Sequence, residues 1–329
     1  VGDDILFLRP RLMGDIIFTI PAISLFARHF PHVRIHYVVE PAFEELARLI
    51  PSVHKVITVR RDAGFPELKR FRQGIRGIGF RVAVDFHSGP RSALLTRITG
   101  IPFRIGYRTA NRNWAYTAFS PRHLPRSPVH SVNNQVRLLE HFDIPHRPVP
   151  FYPEIPLPPD SALPETEPDP LRVVIHVGAG NRFREWGESH FRQLCELLLE
   201  AGLSVSLIGH SEAERATASR LERDLDVRNL TGRLPVSSTL RLISGSGVYV
   251  GVDSGPLHLA SLTRTPLVAL FGPNLPAVSG PWRNRDVTIL QTRLDCRPCS
   301  QHRCRYDTIR CMQEIDAHDV FKAVLRHIR

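Results

Sequence analysis

Val250-Gly251-Val252-Asp253-Ser254-Gly255-Pro256-Leu257-His258-Leu259-Ala260 decides how this chain is read. An apolar run from Val248 to Val252 stops at Asp, Ser and Gly, and a helix-like apolar pattern starts at Leu257. A strand that delivers a carboxylate and a hydroxyl to its carboxyl end, followed at once by a helix, is the ligand corner of an open α/β sheet. The first-turn N–H groups of such a helix suit an anion such as a phosphate. His258 falls in that first turn.

The same grammar runs through the chain. Apolar strand segments are expected at Ile5–Leu8, Arg34–Val39, Lys55–Val59 and Val82–Phe86, then at Arg172–His176, Ser204–Ile208, Val248–Val252 and Pro266–Phe271. Helical patterns alternate with them at Ile16–Phe30, Phe43–Leu49, Phe65–Phe80, His190–Ala201 and Glu212–Asp224. Alternation of this kind predicts α/β units with parallel sheets wrapped on both faces. Pro21 inside the first helical pattern predicts a kink or a broken turn. Ten prolines between Pro145 and Pro170 exclude helix interiors and central strands, and read as a semi-rigid linker. The expected organisation is an N-terminal Rossmann-like domain over 1–150, a linker over 151–171 and a C-terminal Rossmann-like domain over 172–329.

Composition narrows the function classes. The 329 residues are 42% hydrophobic, enough for two cores. No stretch reaches the roughly 18 apolar residues that span a bilayer, and Val1-Gly2-Asp3-Asp4 carries no signal-peptide pattern. The net charge of +11 lies wholly in the first half: residues 1–150 hold 22 Lys+Arg against 11 Asp+Glu, while residues 151–329 hold 21 of each. A basic half suggests a polyanionic partner, be it nucleic acid, an anionic membrane surface or a phosphorylated glycolipid; a solvated basic surface is the plainer alternative. Gly178-Ala179-Gly180 lacks the third glycine of a dinucleotide fingerprint, because position 183 is Phe, and no P-loop occurs. A dehydrogenase and a P-loop ATPase are thereby disfavoured.

Four pieces occur in order: Arg9-Pro10-Arg11-Leu12-Met13-Gly14-Asp15 running on to Pro21; His176-Val177-Gly178-Ala179-Gly180 with Arg184-Glu185-Trp186; Gly209-His210-Ser211-Glu212; and the opening stretch followed by Ala269-Leu270-Phe271-Gly272-Pro273. Together they resemble glycosyltransferase family 9, the ADP-heptose:lipopolysaccharide heptosyltransferases. The resemblance covers nearly the whole chain. It implies a GT-B fold, two Rossmann-like domains facing across a cleft, with the acceptor on the N-terminal half and the nucleotide sugar on the C-terminal half. It also implies transfer of a heptosyl unit from ADP-heptose to a lipopolysaccharide inner-core acceptor, inversion at the anomeric carbon, and catalysis without a metal. A basic acceptor half fits an anionic core at the cytoplasmic face of a membrane. A transferase using another nucleotide sugar, a nucleotide-sugar epimerase on the same scaffold and an Arg-rich nucleic-acid binder are the competing readings; the neutral second half speaks against the last.

Asp15, at a strand-to-helix turn, matches the family's catalytic base, and its plainer reading is a helix N-cap. The resemblance places Gly14, Gly178, Arg184, Glu212, Asp253, Ser254, Gly255 and His258 on the donor. Arg184 stands where the family usually has Lys, so the charge is kept and the geometry changes. Glu212 matches the ribose-contacting carboxylate, with a dipole-favoured helix-start Glu as the alternative. Asp253 would hold sugar hydroxyls, and Ser254 with Gly255 the diphosphate. Arg60, Arg61, Arg91 and Ser92 are candidates for the acceptor side. Arg60 and Arg61 adjoin the basic amphipathic stretch Phe65–Phe80, which carries Lys69, Arg70, Arg72 and Arg76 and suits an anionic membrane or simply solvent. Four of the five cysteines, Cys296, Cys299, Cys304 and Cys311, fall within sixteen residues. They read either as free thiols or as a structural zinc or iron site, and some family members carry a similar cluster.

Overall fold

The computed structural model describes residues 2–122, 129–153, 155–156, 167–283 and 286–328. Contacts divide the chain into two units, 1–156 and 157–329. The first unit runs β1 (Asp4–Leu8), α1 (Met13–Ile17), α2 (Ile20–His29), β2 (Arg34–Val39), α3 (Glu44–Leu49), β3 (Val53–Thr58), α4 (Phe65–Ile78), β4 (Val82–Asp85), α5 (Pro90–Thr99), β5 (Phe103–Tyr107), β6 (Ala118–Ser120) and α6 (Ser131–Arg137). Its six strands are ordered β3-β2-β1-β4-β5-β6, all pairs parallel.

The second unit runs β7 (Asp169–His176), α7 (Glu188–Glu200), β8 (Ser204–Ile208), α8 (Glu212–Asp224), β9 (Arg228–Asn229), α9 (Val236–Ser244), β10 (Ser246–Val252), α10 (Gly255–Ala260), β11 (Leu267–Leu270), α11 (Pro276–Ser279), β12 (Val287–Leu290), α12 (Arg310–Gln313) and α13 (Ala317–Leu325). Its sheet, β12-β11-β10-β7-β8-β9, repeats the order of the first and is again parallel. Both are doubly wound sheets whose strand order reverses beside the first strand: between β1 and β4, and between β7 and β10. Ligands of such sheets bind at the carboxyl ends of those strands.

Period-two alternation explains how each sheet is covered. Along β7 and β10, Val173, Ile175, Val248 and Val250 pack with Leu194, Leu198, Val320 and Val324 of α7 and α13. Val174 and Tyr249 point the other way, onto Leu242, Ile243 and Leu257 of α9 and α10. Buried on both faces, the strands are near-continuous apolar runs, which made them conspicuous in the sequence.

The expected helix Ile16–Phe30 is broken at Phe18 and Thr19. Pro21 sits in the first turn of α2, where its missing N–H costs no helical hydrogen bond. Thr19 holds the break through Oγ1, which donates to the Ile16 carbonyl at 2.7 Å and meets the Tyr37 hydroxyl at 2.8 Å. The expected linker 151–171 is only partly described, since 154 and 157–166 lie outside the described residues. Its end is corrected by β7, which starts at Asp169 and includes Pro170 in a central strand. The strand tolerates it because pairing with β10 shifts register between Ser246 and Val248. Gly247 leaves the room there: a Cβ at that position would lie 2.0 Å from the Pro170 carbonyl oxygen.

Candidate functional site: two strand-end corners

In the first unit the corner forms where β1 and β4 end. The chain leaves β1 at Arg9, whose guanidinium is 2% exposed yet charged. A buried charge must be paired. Nη2 lies 2.5 Å from Asp15 Oδ2, and Nη1 donates to the Phe86 carbonyl at 2.7 Å. Arg9 thus ties the first turn of α1 to the end of β4. Leu12, not Asp15, occupies the N-cap of α1, and Asp15 in the first turn bonds back to the Leu12 backbone, so it serves the helix start from inside rather than as the N-cap. Desolvation pulls the Asp15 carboxyl upward; the charge and hydrogen bond of Arg9, the charge of His87 and the Leu12 backbone together hold it below its ordinary value. The side chain keeps about a third of its surface open, 36%.

The loop after β4 is built on Asp85, which is fully buried. Its carboxylate accepts from the backbone N–H of His87 and Ser88, both at 2.9 Å, and from the Tyr116 hydroxyl at 2.7 Å. This presents His87 beside Asp15. Desolvation, then the Arg9 charge, push the His87 imidazole down to about 4, so it is neutral at pH 7. Arg9, Asp85 and His87 carried no assigned role in the sequence; only burial and long-range partners reveal them.

The expected acceptor residues are treated differently by the fold. Arg60 and Arg61 are exposed, and Arg60 pairs with Glu67 of α4 at 3.0 Å. Arg91 donates to the Ala63 carbonyl at 2.9 Å. Ser92 is a correction: it is fully buried, and its Oγ accepts from the Gly89 N–H at 3.0 Å, closing the start of α5. Its hydroxyl serves the helix end rather than a ligand.

In the second unit the corner forms where β7 and β10 end. Asp253, 3% exposed, is the hub. Its Oδ2 accepts from Asn274 Nδ2 at 2.5 Å and lies 3.5 Å from Arg184 Nη1, which also donates to the Asp253 carbonyl at 3.1 Å. His258 Nε2 is 3.6 Å from Oδ1. Burial raises the Asp253 carboxyl, but His258, Arg184 and Asn274 outweigh it, and it stays below its usual value. Ser254 and Gly255 open α10 as expected. That helix is only six residues long, so its summed dipole is small and its first-turn N–H groups are what it offers.

Glu212 and Glu214 are placed differently by the fold. Glu212 is exposed at the start of α8, whereas Glu214, two residues on, is buried under the glycine turns. Glu214 Oε2 accepts from the His210 and Ser211 N–H groups at 2.7 and 2.8 Å, and Oε1 lies 3.2 Å from His176 Nε2. His176 Nδ1 is in turn 3.3 Å from Ser254 Oγ. A carboxylate, an imidazole and the Ser254 hydroxyl thus form one buried chain. Gly178 admits it: a Cβ there would stand 2.2 Å from Glu214 Cγ. The signal was present in the sequence, because Ser211-Glu212-Ala213-Glu214 is a capping box whose fourth residue turns inward. A cavity of about 260 Å³ opens beside these turns, lined by Gly178, Ala179, Glu185, Glu188, Ser211 and Glu214 among others.

The four cysteines line one cavity of about 220 Å³, with Phe183 and Pro273 from the Asp253 side. Sulfur donors would suit zinc or iron, but the arrangement does not fit one. Among the described residues no three His, Cys, Asp or Glu side chains converge to hold a metal ion. Cys304 Sγ donates to the Thr308 carbonyl at 3.3 Å, and burial pushes the Cys311 thiol up to about 11. Cys195 is a buried core thiol.

Two doubly wound parallel sheets, each with acid and base side chains gathered at its switch point, define a two-unit α/β protein whose candidate ligand corners lie at the strand ends. The family model of glycosyltransferase family 9 (heptosyltransferase) matches residues 68–310, and the chain belongs to that family. It is 28% identical to lipopolysaccharide heptosyltransferase 1 of Pseudomonas aeruginosa, over 92% of this chain and 87% of that one. The structure of E. coli ADP-heptose lps heptosyltransferase II superposes with a TM-score of 0.81 at 20% identity, over 99% and 98% of the two chains. That likeness shows the GT-B fold. The dodecameric iron-containing heptosyltransferase TibC, in complex with ADP-D-beta-D-heptose, is similar at a TM-score of 0.63 and 15% identity, over 98% of this chain and 76% of that one.

Proposed function

We propose that the protein transfers a heptosyl residue from ADP-heptose to a lipopolysaccharide inner-core acceptor, with inversion at the anomeric carbon. The reading rests on family membership and on relatives named as lipopolysaccharide heptosyltransferases. The observation that carries it is Asp15: a carboxylate at a sheet's switch point, partly open to solvent and held ionised by a buried arginine. An acceptor hydroxyl attacks the anomeric carbon; its proton passes to Asp15, the new C–O bond forms, and the bond to the diphosphate breaks, releasing ADP. General-base help of this kind is worth about 10² to 10⁴ in rate.

The donor half would supply the remainder. Arg184 and the Ser254 hydroxyl stabilise the leaving diphosphate, a role that preorganised charge fills without a metal. Asp253 and His258 would hold sugar hydroxyls only by exchanging contacts they now make with each other, Asn274 and Arg184. Glu214 and His176 keep Ser254 oriented rather than touching the donor, since both Glu214 oxygens are already engaged within the protein. The ribose role expected of Glu212 finds no support in its exposed position.

The basic first half suits a phosphorylated acceptor on an anionic membrane at the cytoplasmic face. On α4, Lys69, Arg70, Arg72 and Arg76 are exposed opposite the buried Phe71 and Ile75, and Phe65 beside them is 80% exposed. That combination favours an interfacial helix. Among the described residues no helix is long and apolar enough to cross a membrane. A structural zinc or iron at the cysteines would require the thiols to close in from their present positions. Elemental analysis of purified protein is expected to find less than one metal per chain; a stoichiometric ion would overturn that expectation.

Purified protein offered a panel of nucleotide sugars and truncated core acceptors tests the function itself. Nucleotide diphosphate should be released with ADP-heptose and an inner-core acceptor together, and little with other sugar nucleotides. Release with none of the pairs defeats the transferase reading, and preference for another donor moves the protein to a different substrate within the family.

A further inference from the structure

The segment that carries the cysteines is bound to the Asp253 corner by three hydrogen bonds on one loop. Arg297 Nη2 donates to the Asn274 carbonyl at 2.9 Å, Cys299 N–H to the Pro273 carbonyl at 3.3 Å, and Gln301 Nε2 to Asn274 Oδ1 at 2.7 Å. The other end of the same amide reaches further. Gln301 Oε1 accepts from Arg184 Nε at 2.8 Å and from Asn181 Nδ2 at 3.1 Å. One side chain therefore joins Asn274 and Arg184, and these two are the groups that grip Asp253 Oδ2.

We propose that Gln301 is a positioning residue of the donor site, setting the direction in which Arg184 presents its guanidinium and Asn274 its amide. Both halves of the amide are used, acceptor toward Arg184 and donor toward Asn274, so no other uncharged side chain of that length satisfies both partners. With Nε held by Gln301 and Nη1 by Asp253, the Arg184 fork is fixed at two of its corners. A fixed fork loses less entropy on meeting a phosphate than a free one. Gln301 has φ +59, in the left-handed region that a long side chain seldom adopts. Such backbone persists where surrounding contacts over-determine it, and here those contacts are the ones to Arg184, Asn181 and Asn274. The cysteine-bearing segment thereby forms a wall of the donor corner, which gives it a role independent of any metal.

The inference rests on the reading that Arg184 meets the diphosphate. Calorimetric titration of the full-length protein with ADP tests it, using Gln301→Ala and Gln301→Met, the second keeping length while removing both polar groups. Each variant should bind ADP about tenfold more weakly, the loss of a hydrogen bond to a charged partner. Because Arg184 also stabilises the leaving diphosphate, kcat/KM for the donor should fall at least as far as the ADP affinity. Arg184→Ala combined with Gln301→Ala should lose no more than Arg184→Ala alone, because Gln301 acts through Arg184. ADP affinity unchanged in both variants, or losses that simply add, overturns the proposal. Wild-type protein that binds no ADP overturns the donor reading together with it.

Discussion

Arg9 and Asp15 show how one buried cation can hold a carboxylate ionised at a strand end. The sequence offers forty arginines, and the place of Arg9 at the head of the first family piece gives it no role of its own. Burial separates it: at 2% exposure its charge is tolerable only because Asp15 and the Phe86 carbonyl answer it. The pairing has a sign that can be tested. A carboxyl held below its ordinary value contributes stability and base function above the unfolded value, and loses both as pH falls through the folded value. Removing the cation should raise that folded value. Arg9→Met is therefore expected to move the acidic limb of kcat/KM to higher pH by roughly one unit or more, as seen for Asp beside Arg. An unmoved limb would separate Arg9 from the base. His87, pushed down to about 4 by burial and the Arg9 charge, titrates close to this range, so His87→Gln in the same background separates its contribution to the limb.

At the scale of elements, what could be read in the sequence was whatever lies close along the chain. The core strands β1, β2, β4, β7, β8, β10 and β11 were visible as apolar runs because helices cover both faces. Short peripheral strands were not: β6 has three residues and β9 two, too few to show a period. The places of Asp15, Asp253 and Ser254 after strand ends were legible because a strand-to-helix turn marks them locally. Glu214 was missed in favour of Glu212 although its capping box was in view, because the pattern says which helix end a Glu caps and not which carboxylate turns inward. Gln301 was beyond reach, since the partners it joins to its own segment, Asn181 and Arg184, stand 120 and 117 residues away. Ser92 was misjudged because a helix-start serine near a basic loop looks the same whether it faces a ligand or closes the turn.

For the whole molecule, repetition is the dominant fact. Two sheets with the same strand order place two corners of different chemistry at equivalent positions, an ionised carboxylate with a neutral imidazole in one and an arginine-bridged aspartate in the other. Charge follows the same division, with the entire +11 on the first half. Attraction of that half to an anionic surface would reach about one Debye length, roughly 8 Å at physiological salt, so it steers approach and leaves the chemistry to the corners. In the proposed function the corner of the first unit supplies the base and that of the second the leaving-group site. The most direct test is Asp15→Asn assayed for ADP release from ADP-heptose with an inner-core acceptor, alongside ADP affinity. Turnover should fall by about 10² to 10⁴ while ADP binds as in the wild type. Near-wild-type turnover, or a loss of ADP affinity matching the loss of rate, would contradict it.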